Sequence, residues 1–424
     1  MKRNVLIVNT NSIYSNNATG ITLRGLLETI NTDKLMEIYW EKEGLDTGII
    51  SSSKKITFRN RFKQKVYKKL RNSKINKNIK KQDLKITNKG YSRLLSYIRQ
   101  YISLDIDLMQ VKIQNEIMMC IENFNPEVIY TLGGSVNVLR ISYFLSCKLN
   151  IPIVIHHMDN WMYSMQWENN PLLNRYKSKL ENICRLCYTR TTECLAISPR
   201  MADIFTERTG VNHRALMNSI NTSSISCKSF VKRTDSYKII YAGGLHIGRS
   251  EAILEIAQTI DQIIKEKRIL IEFDIYTSDI DQDIYKENFS GIECVRFFNL
   301  VPHDEIFSIY ANADVLVHAE NLNSHNLSFN RYSISTKIPE YLASGVVVLF
   351  YGPKEIYLTE FLDNNALAIT ASKKDELKQG ILKSIYNNAE KKLYISNARA
   401  YVEENFNILK NIGTLIYALE NSTL

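Results

Sequence analysis

The stretch SISTKIPEYLASGVVVLFYGP, residues 333–353, passes from a polar turn through a short helical pattern into a continuous apolar run. A glycine, Gly345, separates the two patterns. Apolar runs such as VVVLFY, without polar alternation, are the mark of a parallel strand covered on both faces. Ser335 is placed to cap the helix, which puts Pro339 in the first turn, where its missing N–H costs little. A strand fed by a helix in this way predicts an α/β domain.

Working outward, the same succession recurs on both sides. NVLIV (4–8), LMEIYW (35–40), PEVIYTL, IPIVIHH and ECLAISP read as strands, with helical patterns over 21–30 and through SVNVLRISYFLSCKL and LLNRYKSKLENICRLCYTR. RALMN closes this series. Residues 222–236 are polar and unpatterned, as a linker would be. A second series then begins with the strand YKIIYAGG and a helix from about Arg249 to Lys267. ILIEFDIY, IECVRFF, DVLVHAE, VVVLFY and ALAIT continue it. Such alternation predicts two doubly wound parallel sheets. We place an N-terminal domain at 1–222, with a basic insertion at 54–93, a second domain at 237–395, and C-terminal helices at 396–424 that pack back on the first.

A chain of 424 residues is long enough for two cores. Seven scattered cysteines fit a reducing cytoplasm better than a disulfide framework. Cys184 and Cys187 have zinc-ligand spacing, yet no second pair follows, so no metal is expected. The opening MKRNVLIVNT holds too short an apolar run for a signal peptide, and no stretch approaches the ~20 apolar residues of a membrane span.

Charge is concentrated. Between Lys54 and Arg93 stand sixteen Lys and Arg against one acid, Asp83, a balance of +15 in a chain of net +10. Everything else therefore sums to −5. Apolar residues at three- and four-residue steps within 54–82 give this segment the pattern of a basic amphipathic helix for an anionic membrane surface. A solvated insertion has the same composition. Aromatic interleaving is thin, and nucleic acid is not expected.

Four places gather chemistry at the carboxyl ends of strands, where open parallel sheets bind ligands. In the opening stretch, free helix amides favour an anion by up to about 2 kcal/mol. Ser335, Thr336 and Lys337 would hold it, and Glu340, one turn along, suits paired hydroxyls. Anion at the tip and diol on the face describe a nucleoside diphosphate; a surface Lys–Glu pair is the plainer alternative. Gly243 and Gly244 end the strand KIIYA and allow close approach of phosphate oxygens, with Arg249 opening the next helix. The loop after the first strand ends at Thr19 and Gly20, with Arg24 on the following turn. The strand IPIVIHH ends at His157, with Asp159 just beyond; either is placed to handle a proton.

YSISTKIPEYLASGVVVLFYGP resembles the donor-nucleotide segment of GT-B glycosyltransferases near family 4, where S-x-K-x-x-EYLA-x-G recurs. CLAISPRMADIF and MNSIN resemble further segments of that family. The resemblance implies two Rossmann-like domains facing a cleft, Lys337 and Arg249 on the diphosphate and Glu340 on the ribose. It also implies Gly20 and its loop at the acceptor or the phosphates, and His157 or Asp159 near the donor sugar. No cofactor is implied beyond the nucleotide-sugar substrate. In one respect the chain departs from the family, because the position eight before Glu340 is Tyr332 rather than a second glutamate. Glu320 is the substitute carboxylate for the donor sugar. The expected activity is transfer of a sugar to a glycan or lipid-linked acceptor of a surface polysaccharide, with retention, in the cytoplasm or at the inner face of the plasma membrane. A nucleotide-sugar epimerase of the same fold and a non-catalytic subunit of a two-chain transferase are the alternatives.

Overall fold

The computed structural model describes residues 1–15, 18–58, 110–160, 171–221, 236–246, 248–302, 305–322 and 330–424. The basic segment beyond residue 58, the periodic stretch SRLLSYIRQYI and the linker at 222–235 lie outside the described residues. The chain forms two units: Met1–Met217 with Leu409–Leu424, and Asn218–Ile408.

In the first unit β1 (Val5–Val8) leads to α1 (Ala18–Leu27), β2 (Leu35–Tyr39) and β3 (Ser52–Lys55). A small antiparallel pair, β4 (Thr57–Phe58) and β5 (Val111–Lys112), precedes α2 (Asn115–Phe124). Then follow β6 (Val128–Thr131), α3 (Val136–Leu149), β7 (Ile153–His157), α4 (Pro171–Tyr188), β8 (Glu193–Ala196), α5 (Pro199–Thr209) and β9 (Asn212–Ala215). The seven-stranded sheet has the order β3-β2-β1-β6-β7-β8-β9, and every pairing in it is parallel. Ser135 and Ser198 cap α3 and α5, each accepting a hydrogen bond from the amide three residues on, at Val138 and Met201. Cys184 and Cys187 are buried on α4, where the Cys187 thiol donates to the Leu139 carbonyl at 3.4 Å.

The second unit runs β10 (Ser236–Ala242), α6 (Arg249–Lys267), β11 (Leu270–Thr277), α7 (Asp279–Tyr285), β12 (Val295–Asn299), α8 (Ile306–Ala311) and β13 (Val315–Ala319). It continues through α9 (Ile338–Ala343), β14 (Val347–Tyr351), α10 (Tyr357–Asn364), β15 (Ile369–Ala371), α11 (Lys374–Tyr386) and α12 (Asn388–Asn405). The sheet order is β12-β11-β10-β13-β14-β15, again all parallel. Counted along the chain this is 3-2-1-4-5-6, the doubly wound Rossmann order. On α6, Ala252, Ile253, Ile256, Ala257, Ile260 and Ile263 recur at helical spacing and bury one face against β10 and β11. Gly345, between α9 and β14, has φ +76, and a side chain there would meet the Arg399 guanidinium. That glycine is what lets EYLAS turn directly into VVVLFY.

The last helix, α13 (Ile408–Asn421), belongs to the first unit. Leu415, Ala418 and Leu419 share a buried cluster with Val5, Ile7 and Tyr130 of the central strands and Leu23, Leu26 and Leu27 of α1. No helix among the described residues is long and apolar enough to cross a membrane.

Candidate functional site

In a 3-2-1-4-5-6 sheet the connections leave β10 and β13 in opposite directions, which opens a crevice beyond their carboxyl ends. Gly243 and Gly244 follow β10, and Glu320 follows β13, so the topology delivers them to one place. Lys337 joins them from the turn before α9. A Cβ built at Gly243 would lie 1.8 Å from the Lys337 Nζ, so any side chain at this position would displace the ammonium from where it stands. The same ammonium stands 5.7 Å from the centre of the Tyr241 ring. Burial pushes its pKa down to about 8, and the neighbouring Arg249 charge acts in the same direction, while Glu340, Glu320 and Asp281 oppose them. At neutral pH Lys337 is still a cation, held at some cost.

Arg249 opens α6 and turns onto Glu320. Its Nε donates to Glu320 Oε2 at 3.2 Å, and its Nη2 donates to Oε1 at 2.8 Å and to Oε2 at 3.1 Å. Nη1 makes no hydrogen bond among the described residues. Burial works against the guanidinium charge, but the Glu320 carboxylate outweighs it and raises the arginine pKa.

The sequence expectation for Glu320, a carboxylate for the donor sugar, does not fit this geometry. The side chain is buried, and both oxygens are engaged: Arg249 on each, His318 Nε2 on Oε1 at 3.2 Å and Asn330 Nδ2 on Oε2 at 3.0 Å. Burial alone would raise its pKa, yet the His318 bond and the Arg249 charge bring it down to about 2. Glu320 is an anchor for Arg249.

Glu340 lies on α9, half-buried, and accepts from the Tyr310 hydroxyl at 3.4 Å. The helix starts later than its sequence suggests. Lys337 occupies the cap position, without a side-chain cap, and the Ser335 carbonyl, not its hydroxyl, accepts from the Ile338 amide at 3.1 Å. Thr336 is exposed. With six residues, α9 contributes its side chains far more than its dipole. Gly244 stands against the His246 ring rather than against either cation.

The candidates in the first unit separate. His157 is fully buried in an aromatic nest, its Nε2 3.0 Å from the Tyr188 hydroxyl and its ring edge-on to Phe205. Burial holds its pKa well below the usual histidine range, and His213 and His156 add to the effect. Such a ring is a neutral packing element, which does not fit the expected proton transfer. Asp159, two residues on, is instead half-buried at the mouth of a cavity lined also by Asn9, Asn11 and Ser12. Arg24 reaches back to the Ile13 and Ser15 carbonyls at 2.6 and 3.2 Å, so it fastens the preceding loop. Gly20 packs so closely beneath that loop that a Cβ would meet the Ser15 carbonyl at 2.2 Å. The Thr19 side chain lies outside the described residues.

Sequence reasoning missed the tyrosines that shape the crevice. Tyr241 underlies Lys337, and its hydroxyl donates to the Gly244 carbonyl at 2.7 Å. The Tyr341 hydroxyl accepts from the Ala242 amide at 3.0 Å, which ties α9 to the end of β10. The signal for Tyr341 was its place beside Glu340; the partner, 99 residues away, left no trace in the local pattern.

The two parallel-sheet units have the GT-B glycosyltransferase fold. Anabaena HepE, solved with UDP and glucose, superposes with a TM-score of 0.65 at 12% identity, covering 99% of this chain and 100% of that one. Sucrose-phosphate synthase from Thermosynechococcus elongatus gives 0.64 at 12% identity, over 98% of each chain. An uncharacterised glycosyltransferase of Methanocaldococcus jannaschii is 23% identical over 185 residues, 43% of this chain and 44% of that protein. The chain thus matches less than half the length of this curated relative. No family model matches the sequence.

Proposed function

We propose that the protein is a glycosyltransferase that takes a sugar from a nucleoside diphosphate donor. The observation that carries this reading is the Lys337 ammonium seated on Gly243 at the crossover of the second sheet. A cation partly stripped of water is worth more to a departing diphosphate than the same charge in bulk solvent. Arg249, held by Glu320, offers its Nη1 edge as the second cation. No metal is needed in this scheme to neutralise the leaving group. Glu340 takes the ribose hydroxyls. Asp159 accepts a hydrogen bond from the incoming acceptor hydroxyl. HepE was solved with UDP, which makes UDP-sugars the first donors to try.

The test is a panel of nucleotide sugars followed by NMR in the presence of EDTA. Release of a nucleoside diphosphate is expected; interconversion of sugar isomers would instead point to an epimerase, and binding without turnover to a non-catalytic subunit. Glu340→Ala is expected to weaken nucleoside diphosphate binding about tenfold or more by calorimetry, as loss of charge-assisted hydrogen bonds does. Equal affinity in the two proteins rejects the ribose assignment.

The acceptor we propose is a glycan or lipid-linked glycan of surface polysaccharide synthesis, and the reaction retaining, at the inner face of the plasma membrane. The support for the membrane setting and its lipid-linked acceptor is the +15 segment at 54–93; for retention it is the resemblance of residues 332–353 to the family 4 donor segment. Replacing the lysines and arginines of residues 59–81 by glutamine should abolish sedimentation with phosphatidylserine vesicles and leave donor hydrolysis intact. Undiminished sedimentation counts against the membrane reading.

A further inference from the structure

The loop that leaves the carboxyl end of β1 gives Asn11 and Ser12 to the wall of the cavity, about 210 Å³, that Asp159 also lines. Its first part is fixed by backbone alone. The Trp40 and Glu41 amides donate to the Thr10 carbonyl at 3.2 and 2.8 Å, and the Ser12 amide donates to the Lys42 carbonyl at 2.9 Å. Its second part hangs on one side chain. Glu37, on β2, accepts from the Ile13 amide on Oε1 at 2.7 Å and from the Ser12 hydroxyl on Oε2 at 2.9 Å. The Ser53 hydroxyl of β3 also donates to Oε2, at 3.0 Å. The Ser12 oxygen in turn accepts from the Tyr14 amide at 3.2 Å, so the carboxylate, a hydroxyl and two amides form one chain through the turn.

Glu37 is fully buried, and these three partners carry no positive charge. Arg24 of α1 reaches the same loop, but at the Ile13 and Ser15 carbonyls. Lys55 of β3 is paired with Glu43, and the Tyr14 hydroxyl accepts from the Ile49 and Ile50 amides. Asp46 opposes ionisation of Glu37 by its charge, and Tyr39, on the same strand, is the other titratable neighbour. Burial pushes the Glu37 carboxyl up to about 7, against the pull of its three hydrogen bonds. A buried carboxylate without a cation costs the fold stability, and a group held at such cost beside a cavity points to function. Protonation there has a defined structural effect. All three partners donate to the carboxylate, whereas a carboxylic acid must itself donate once. The Ile13 amide cannot accept, so the Ser12 or the Ser53 hydroxyl has to reverse, and the remaining bonds lose their ionic assistance.

We propose that Glu37 is a positioning residue for the transfer step: its ionised carboxylate holds Ser12–Tyr14 in place beside the Asp159 cavity, and its protonation slackens that wall. This rests on the assignment of Asp159 to the acceptor hydroxyl above. Glu37 touches no substrate and acts through the loop. Turnover, and not nucleotide binding, follows its charge.

The test compares wild type with Glu37→Gln, which has the shape of the acid and no charge at any pH. The donor is the nucleotide sugar that the NMR panel shows to be consumed. At pH 8 the variant's kcat should be about tenfold lower, the cost of making charge-assisted hydrogen bonds neutral. The ratio should close to about one at pH 5.5, where wild-type Glu37 is itself protonated. UDP affinity by calorimetry should be equal in the two proteins at pH 8, which also shows that the variant is folded. Hydrogen–deuterium exchange of the peptide spanning Asn9–Ser15, corrected for the intrinsic rate, should quicken in wild type from pH 8 to pH 5.5 and stay constant in the variant. An activity ratio independent of pH, or UDP affinity lost together with turnover, overturns the proposal. So does wild-type exchange at this peptide that ignores pH, a result that decides the matter even if the variant does not fold. Exchange that follows pH in a protein that consumes no nucleotide sugar sinks the transferase reading and leaves the hold of Glu37 on the loop standing.

Discussion

Lys337→Met is expected to cut turnover with a nucleotide-sugar donor by about 10²–10³ while raising the melting temperature. The first effect follows from removing a positioned cation from a developing diphosphate, which has that magnitude in other preorganised sites. The second follows from burial. The folded protein holds the ammonium where its pKa falls to about 8, against about 10.4 in an unfolded chain. Folding therefore disfavours the charged form, and between about pH 8 and 10.4 the unfolded state binds more protons than the folded one. Wild-type stability should rise across that window relative to the methionine variant. Methionine keeps the length of the stem over Tyr241 and carries no charge to desolvate. Denaturation midpoints at pH 7 and pH 10, alongside kcat, check both halves. A variant that is slower and also less stable would mean that Lys337 serves the fold rather than the reaction.

Arg249→Met should be costlier to the fold than any other single change in the crevice. It strands Glu320, buried and left with His318 and Asn330 as partners, and breaking a buried ion pair from one side typically costs about 3–5 kcal/mol. The pH dependence carries a distinct mark. Glu320 has its folded pKa depressed to about 2, so its contribution is fully present above its unfolded value, about 4.3, and is lost as pH falls towards 2. Without Arg249 the depression shrinks, and the difference in stability between the two proteins should close on acidification. Urea unfolding at pH 7, 4 and 3 measures it. Arg249→Lys should recover only part of the loss, because a single ammonium cannot reproduce the forked contact to both oxygens. A constant gap at all three pH values would exclude the ion pair as its source.

The two sheets were legible because their strands are covered on both faces and so appear as unbroken apolar runs: VLIV, IVIHH, VVLFY. β3, with the sequence SSKK, has no such signature and was not anticipated, since it gains its place by pairing with β2 rather than by burial. Lys337 and Gly243 were legible as motif residues, but their contact was not, because 94 positions separate them. Glu320 was misread for the same reason. A carboxylate after a strand looks like a ligand until its partners are known, and Arg249 arrives from 71 residues away. His157 shows the limit from the other side. The sequence showed two histidines at a strand end, and only the packing of Tyr188 and Phe205 shows that the second is sealed in.

The first unit is completed by α13, the last helix of the chain, while all of the second unit is threaded in between. Where the chain passes into and out of that insert its two strands lie side by side, Ile220 N bonded to the Phe406 carbonyl at 2.9 Å. During synthesis, then, the ribosome must deliver the entire insert before β1 and α1 receive Leu415 and Leu419. Until that moment the nascent first unit carries an uncovered apolar strip, a natural place for a chaperone to hold it. A chain released some fifteen residues early would leave the strip bare for good.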